Sequence, residues 1–204
     1  PATLRRQRQM CIRDRWSHFE PWFVGRRMPI WFGLTQMQEA RSGFDAATRL
    51  GQGRLLLLQF KAGRRMRRGI RFTAQHTQLE ALRARTRAAR AVFYVLPAVT
   101  RTRELSVAAP PLLAQTWLLD VAHLPPLDRP ARASGYHNLT LDEQTGIVTI
   151  QSDQVEVRAI RADKMQEWSP NAIGYKFDGF DDFWETVSPM HGTAACLGLP
   201  SAMK

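Results

Sequence analysis

The segment GFDAATRLGQGRLLLLQFKAG, residues 43–63, constrains the fold of this 204-residue chain more than any other. Two strand-like runs flank Gly51-Gln52-Gly53. Two glycines around one polar residue favour a tight hairpin turn. The longest dense apolar run, Leu55 to Leu58, has the size of a strand and is far shorter than the roughly 18 residues of a transmembrane helix. We therefore expect a buried β-hairpin here, no transmembrane helix and no membrane partner.

The loop length predicts which side chains of the hairpin meet. If the loop has three residues, Leu50 faces Arg54, and Asp45 faces Gln59 further along the strands. Opposed residues of an antiparallel pair share a face, and alternation places Gln59 and Lys61 on the same face. A slip of one residue would separate these side chains. This register therefore predicts a cluster of Asp45, Gln59 and Lys61.

These residue types are suited to metal-assisted hydrolysis. A carboxylate and an amide oxygen are hard ligands of the kind that Mg²⁺ or Mn²⁺ prefers, and the backbone carbonyl of Phe60 is a natural third oxygen. Lys61 would position or activate the attacking water and offset charge on the phosphate, while the metal acts as Lewis acid. An ordinary buried hairpin with polar residues near its edge, where a lysine discourages aggregation, is the alternative.

The flanking patterns predict an alternation of helices and strands. Residues 73–90 are rich in helix formers, and Thr73 is a candidate N-cap. A β-branched and aromatic run closed by proline then predicts a buried strand. This strand lies within residues 91–99. The other predicted elements are a helix at 16–25, a strand at 30–34 and a second hairpin at 146–160.

Asp45 on one hairpin strand and Gln59-Phe60-Lys61 on the next, followed by a helix and a strand, resemble the PD-(D/E)xK (restriction-endonuclease-like) nuclease superfamily. The resemblance implies an α/β fold in which helices flank a central mixed β-sheet. It implies an αβββαβ-type core at residues 16–97 with a C-terminal α+β extension.

The same resemblance implies a Mg²⁺- or Mn²⁺-dependent endonuclease that hydrolyses phosphodiester bonds in DNA. Lys61 would be the catalytic lysine, and Asp45 and Gln59 would lie at the metal. Glu20 or Glu39 would add an acidic ligand. Two features depart from the family pattern: Gln59 stands where most members place Asp or Glu, and no proline precedes Asp45.

The distribution of charge indicates a polyanionic partner. The net charge is +11, and residues 61–90 hold ten basic residues against the single acid Glu80. Lys and Arg near phosphates release counterions, which favours binding to nucleic acid. A solvated arginine-rich face is the alternative. The candidate nucleic-acid-binding residues are Arg64, Arg65, Arg67, Arg68, Arg71, Gln75, His76 and Arg83.

The N-terminal residues are treated separately from the fold. Residues 10–15, MCIRDR, are what one frame of a common transposon-based sequencing adapter encodes. We expect residues 1–15 to be artefactual or disordered, with a native basic arm as the alternative. Residues 16–204 are expected to form one domain, with its core at 16–97 and an extension at 98–204.

The two cysteines, Cys11 and Cys196, form neither a CxxC pair nor a disulfide framework. This usage favours a reducing, cytoplasmic setting. Two further function classes stay open beside the nuclease. One is a non-catalytic domain of the same fold that binds nucleic acid or protein, and the other is a structural protein without a site at the hairpin.

Overall fold

A computed structural model describes residues 30–33, 44–50, 53–86, 88–101, 112–128, 135–168 and 172–178. Its strands and single α-helix within these ranges are, in chain order, β1 Ile30–Gly33, β2 Ala46–Leu50, β3 Arg54–Phe60, β4 Arg64–Arg65, β5 Ile70–Gln75, α1 His76–Arg85, β6 Val92–Pro97, β7 Thr116–Asp120, β8 Tyr136–Leu141, β9 Ile147–Ile150, β10 Val155–Arg158, β11 Ile160–Arg161 and β12 Tyr175–Lys176. Short 3₁₀ turns lie at Leu112–Gln115, Val121–His123 and Ala162–Glu167.

The described strands form two sheets. Sheet A is mixed and has the order β1-β2-β3-β6-β7-β11, with β12 paired to β3. Sheet B is antiparallel and has the order β10-β9-β8-β5-β4. The predicted α/β class with a mixed sheet is therefore confirmed. Strands that follow residue 98 join both sheets, so this part of the chain packs together with the preceding residues.

Strand β3 lies at the centre of sheet A and is buried on both faces. Leu55 and Leu57 pack into the core shared with α1 and the inner face of sheet B, whereas Leu56 and Leu58 pack into a second core on the other side. Strands covered on both faces read as continuous apolar runs rather than alternating ones. Burying each leucine contributes about 1.5–3 kcal/mol, which accounts for the apolar character of this segment.

Helix α1 connects the parallel strands β3 and β6 by way of the β4–β5 hairpin. Leu79 and Leu82 are its buried residues and lie in the core between the sheets. The crossover places the N-terminus of α1 near the end of β3. A hydrogen bond from Lys61 to Gln78 joins the two. The carboxyl end of β3 and the start of α1 therefore enclose a common region.

Two local predictions need correction. The helix begins at His76 and ends at Arg85, so it is shorter than residues 73–90. Thr73 is not its N-cap, because it lies in β5 opposite Asn138. Pairing with β8 continues to Gln75, and this tertiary hydrogen bonding overrides the local capping preference of threonine.

Three other predicted elements are confirmed by the strand assignments. They are the strand at 30–34, found as β1, the buried strand within 91–99, found as β6, and the hairpin at 146–160, formed by β9 and β10. The predicted helix at 16–25 lies outside the described residues. No helix in the described ranges is long and apolar enough to span a membrane.

Candidate functional site

The β2–β3 hairpin has the register that the Gly-Gln-Gly loop predicts. Opposed pairs run from Leu50–Arg54 to Ala46–Leu58. The Asp45 amide donates at 3.0 Å to the carbonyl of Leu58, the ladder partner of Ala46, so the regular pairing ends there and the next contact is the 2.8 Å hydrogen bond between the Gln59 and Asp45 side chains. Asp45 therefore meets Gln59, and the two side chains lie on the face of sheet A that is covered by α1 and sheet B.

The Asp45 carboxylate is buried and accepts hydrogen bonds from two directions. Its exposed fraction is 4%. Oδ2 accepts from the Phe60 backbone amide at 2.7 Å and from Gln59 Nε2 at 2.8 Å. Hydrogen bonds to a charged acceptor are stronger than neutral ones, and a buried carboxylate requires them. Asp45 thus fixes both the backbone at Phe60 and the side chain of Gln59.

The Gln59 amide lies between two oxygens. Its Nε2 atom is 2.8 Å from Asp45 Oδ2 and 3.3 Å from the Phe60 carbonyl oxygen. The residue has no exposed surface, and within the described part of the chain its Oε1 has no hydrogen-bond partner. Amide nitrogen and oxygen positions are assigned from the hydrogen-bond network and exchange by a half-turn of the amide. After such a turn, three oxygens converge at this position.

Lys61 lies just beyond the end of β3 and is half-buried. Its backbone amide donates to the Val95 carbonyl at 3.0 Å, which extends the parallel pairing with β6. Its ammonium donates to Gln78 Oε1 in the first turns of α1 and lies 5.0 Å from the centre of the Tyr94 ring. A cation over an aromatic face is attracted by the ring quadrupole. These contacts hold Lys61 on the same face as Asp45 and Gln59.

Tyr94 is a member of the cluster that the sequence analysis missed. It lies opposite Gln59 in the parallel β3–β6 pair and is fully buried. Its hydroxyl has no hydrogen-bond partner in the described ranges. Burial first, and the charge of Glu80 second, raise the pKa of Tyr94, so it remains a neutral phenol. The signal was available, because Tyr94 is the only residue of β6 with a polar side-chain group.

A pair of histidines joins the first residue of α1 to strand β8 of sheet B. His76 Nδ1 and His137 Nε2 are 3.0 Å apart, and the ring centres are 5.2 Å apart. The other nitrogen of His137 lies 2.8 Å from Ser152 Oγ and 3.6 Å from Asp153 Oδ2. His137 has no exposed surface. A chain of polar groups therefore runs from Asp153 through His137 to His76.

Burial has the largest influence on the pKa of His137 and lowers it. The charge of Asp153 opposes this effect, the nearby His76 adds to it, and Glu80 opposes it. His137 is therefore neutral at neutral pH. One proton is shared across the His76–His137 contact, because two protons there would place N–H against N–H. His76 was predicted to contact nucleic acid, and the described structure places its Nδ1 against His137.

The basic candidate residues differ in their surroundings. Arg65 pairs with Glu143 at 2.6 Å and also donates to the Ala98 carbonyl. Arg83 donates to the Pro125 carbonyl at 2.7 Å. Gln75 is exposed at the N-cap of α1 without a capping hydrogen bond from its side chain. Four of the candidates are exposed and form no ion pair with another described residue: Arg64, Arg67, Arg68 and Arg71.

The predicted acidic ligands Glu20 and Glu39 lie outside the described residues. Among the residues that are described, no three His, Cys, Asp or Glu side chains are arranged to hold a metal ion. The candidate donor set is therefore one carboxylate, one side-chain amide and one backbone carbonyl, which belong to Asp45, Gln59 and Phe60.

No protein-family model matches the chain, and no curated protein or solved structure does so either.

Proposed function

We propose that this chain is a divalent-metal-dependent nuclease-like domain that hydrolyses phosphodiester bonds in DNA. The observation that carries the proposal is the position of the Gln59 amide nitrogen, 2.8 Å from Asp45 Oδ2 and 3.3 Å from the Phe60 carbonyl oxygen. Adjacent oxygens of an octahedral Mg²⁺ site lie about 2.9 Å apart, given metal–oxygen distances of about 2.1 Å. The spacing therefore fits a hard cation.

The unpartnered Gln59 Oε1 supports the same proposal. A half-turn of the amide would bring this oxygen beside Asp45 and Phe60, an arrangement that is repulsive without a cation and favourable with one. The site would then contain one formal negative charge instead of the two that an Asp or Glu at position 59 would give. Metal affinity is therefore expected to be weak, and millimolar Mg²⁺ is expected to be needed for activity.

The chain order supports an αβββαβ-type core in the proposal. Strands β1, β2 and β3, helix α1 and strand β6 follow in the order that this core requires, and the β4–β5 hairpin is inserted before the helix. The first helix of the core would come from residues 16–25. The functional cluster lies at the carboxyl end of β3, where ligands of α/β sheets bind.

Each residue of the cluster has a distinct role in the proposed reaction. Asp45 orients Gln59 and fixes the Phe60 backbone by its two hydrogen bonds. Gln78 and the Tyr94 ring hold the Lys61 ammonium beside the site, where it orients water and offsets charge on the phosphate. A bound divalent metal would supply Lewis acidity toward the phosphoryl oxygen.

Replacement of Lys61 by alanine tests the proposal. We expect the variant to nick supercoiled plasmid at least tenfold more slowly than the unaltered protein in Mg²⁺ or Mn²⁺, because a positioned cation at the phosphate is lost. Lys176→Ala is the matched control, since Lys176 is an exposed lysine on β12, away from the cluster. Equal rates for the Lys61 variant and the unaltered protein, or no nicking by either, would contradict the catalytic role.

Burial favours a second candidate, a non-catalytic nucleic-acid-binding domain of the same fold. Asp45 is 4% exposed and Gln59 is 0% exposed, so a substrate phosphate has little access to them. The hydrogen bond between them also satisfies Asp45 without a metal. In that case metal would neither raise the melting temperature nor promote nicking, and oligonucleotide binding would persist with EDTA.

A further inference from the structure

The outer face of sheet B carries an alignment of exposed polar and aromatic side chains. Along β5, Ile70, Phe72 and Ala74 point into the core, while Arg71, Thr73 and Gln75 are exposed. The register with β8 sets these residues beside the exposed Tyr136 and the half-buried Asn138 and Thr140. We name this surface the β5–β8 face and define it by Arg64, Arg71, Thr73, Gln75, Tyr136, Asn138 and Thr140.

We infer that the β5–β8 face binds a single-stranded nucleic acid, with phosphates at its arginine end and a base stacked on Tyr136. The inference goes beyond the proposed hydrolysis and does not depend on it. Sheet B turns its inner face toward the Asp45–Gln59 cluster, so the β5–β8 face lies on the opposite side of that sheet.

The clustered positive charges at the arginine end of the face are suited to binding an anion. Arg64 lies directly opposite Arg71 in the β4–β5 pair, and like charges in opposed positions destabilise a hairpin. Arg67 and Arg68 lie in the adjoining turn, which the Met66 amide closes on the Gly69 carbonyl at 3.0 Å. No carboxylate pairs with these four arginines in the described ranges. A bound phosphate would offset their repulsion.

The turn that presents these arginines has a defined conformation. Gly69 has a φ of +76°, and a Cβ there would lie 2.2 Å from the Leu141 carbonyl oxygen. Only glycine adopts such a position without strain. Arg65 is exposed but is not assigned to the anion-binding set, because Glu143 and the Ala98 carbonyl bind its guanidinium. Within the described ranges, the four arginines of this region that have no carboxylate partner are therefore available to a polyanion.

Tyr136 marks the other end of the face. It is 47% exposed, and within the described ranges no other large hydrophobic residue is exposed. It lies opposite Gln75, four residues from Arg71 along β5, which corresponds to about 13 Å at the usual rise of a strand. A short single strand can cover this distance. Gln75 lies opposite Tyr136, and Asn138 lies two residues along β8 on the same face, so both amides are placed to contact the edges of a base.

The combination favours a single strand over a duplex. Aromatic side chains on an exposed sheet stack on bases that are unpaired, and this contact is worth about 1–3 kcal/mol per base. In a duplex the bases are stacked on each other and their faces are inaccessible to Tyr136. The acids nearest the arginine end, Asp142 and Glu143, have partners of their own: Asp142 accepts from the Gln144 amide and the Thr145 hydroxyl, and Glu143 pairs with Arg65. Glu156 lies on β10, beyond β8 and β9.

Fluorescence anisotropy with labelled twelve-nucleotide oligothymidine, oligouridine and a DNA duplex tests the inference. In EDTA, which prevents metal-dependent cleavage, we expect both single strands to bind more tightly than the duplex. The two single-strand probes show whether the strand is DNA or RNA. Tighter binding of the duplex, or binding only to anionic phosphatidylserine vesicles, would overturn the inference.

Two substitutions locate the binding surface. Tyr136→Ser is expected to weaken single-strand binding about fivefold or more, and Tyr136→Phe is expected to preserve it, because the ring rather than the hydroxyl stacks. Arg71→Gln is expected to reduce the salt dependence by about one counterion, whereas Arg161→Gln, at an exposed arginine paired with Asp163, is the control. Unchanged binding by both Tyr136→Ser and Arg71→Gln would refute the assignment. Circular dichroism melting confirms that each variant is folded.

Discussion

Replacing Gln59 by glutamate is expected to destabilise the protein by about 3 kcal/mol at pH 7 in metal-free buffer. The new carboxyl would occupy a fully buried position within hydrogen-bond distance of Asp45. Two buried carboxylates so close cannot both ionise, so the pKa of one is raised. If the site binds a cation, millimolar Mg²⁺ or Mn²⁺ should restore about 2 kcal/mol or more. Urea unfolding with and without metal measures both effects.

The double variant Asp45→Asn with Gln59→Glu is the matched control for this experiment. It returns the site to one carboxyl and one amide with their positions exchanged, so most of the stability lost in metal-free buffer should return. The non-additivity of the two substitutions measures the coupling of the pair. A Gln59→Glu variant whose stability is the same with and without metal would count against a cation site at this hairpin.

Acidification from pH 7 to pH 5 is expected to lower the free energy of unfolding through His137. Burial lowers the pKa of His137 in the folded protein. The stabilising contribution is therefore complete above the unfolded-state pKa of about 6.5 and is lost as the pH falls below it. One proton limits this slope to at most about 1.4 kcal/mol per pH unit. Urea unfolding at several pH values measures it.

His137→Gln is expected to remove most of this pH dependence, because a neutral amide can occupy the position between His76 and Ser152 without titrating. His123→Gln is the control, since the His123 side chain is 56% exposed. The slope should persist in the control. A slope that is equally steep in the His137 variant would show that His137 is not the cause of the acid sensitivity.

The hairpin cluster is the part of the structure that local sequence rules predict best. The Gly-Gln-Gly loop sets the register, and the alternation of strands then places Asp45 beside Gln59 and Lys61 on the same face. These relations depend on neighbours within one hairpin, where geometry is nearly determined by loop length. The buried strand β6 follows from its β-branched and aromatic composition.

Contacts between distant segments could not be derived in the same way. His76 and His137 are separated by 61 positions in the chain and meet only because β5 pairs with β8. The same pairing keeps Thr73 in a strand rather than at a helix cap. Tyr94 joins the cluster through the parallel pairing of β3 and β6. Each of these contacts requires a strand partner that local periodicity does not specify.

The position of β3 between β2 and β6 also has a consequence for the order of folding. Its partner β2 lies across a loop of residues 51–53, whereas its partner β6 follows only after residues 61–91, which include α1. Short hairpins close in about 1–10 μs, while pairing across a long segment carries a larger loop-closure cost. The Asp45–Gln59 contact can therefore form while Lys61 still lacks Tyr94 and Gln78. Substitutions at Asp45 should accordingly slow refolding, whereas those at Gln78 should mainly speed unfolding.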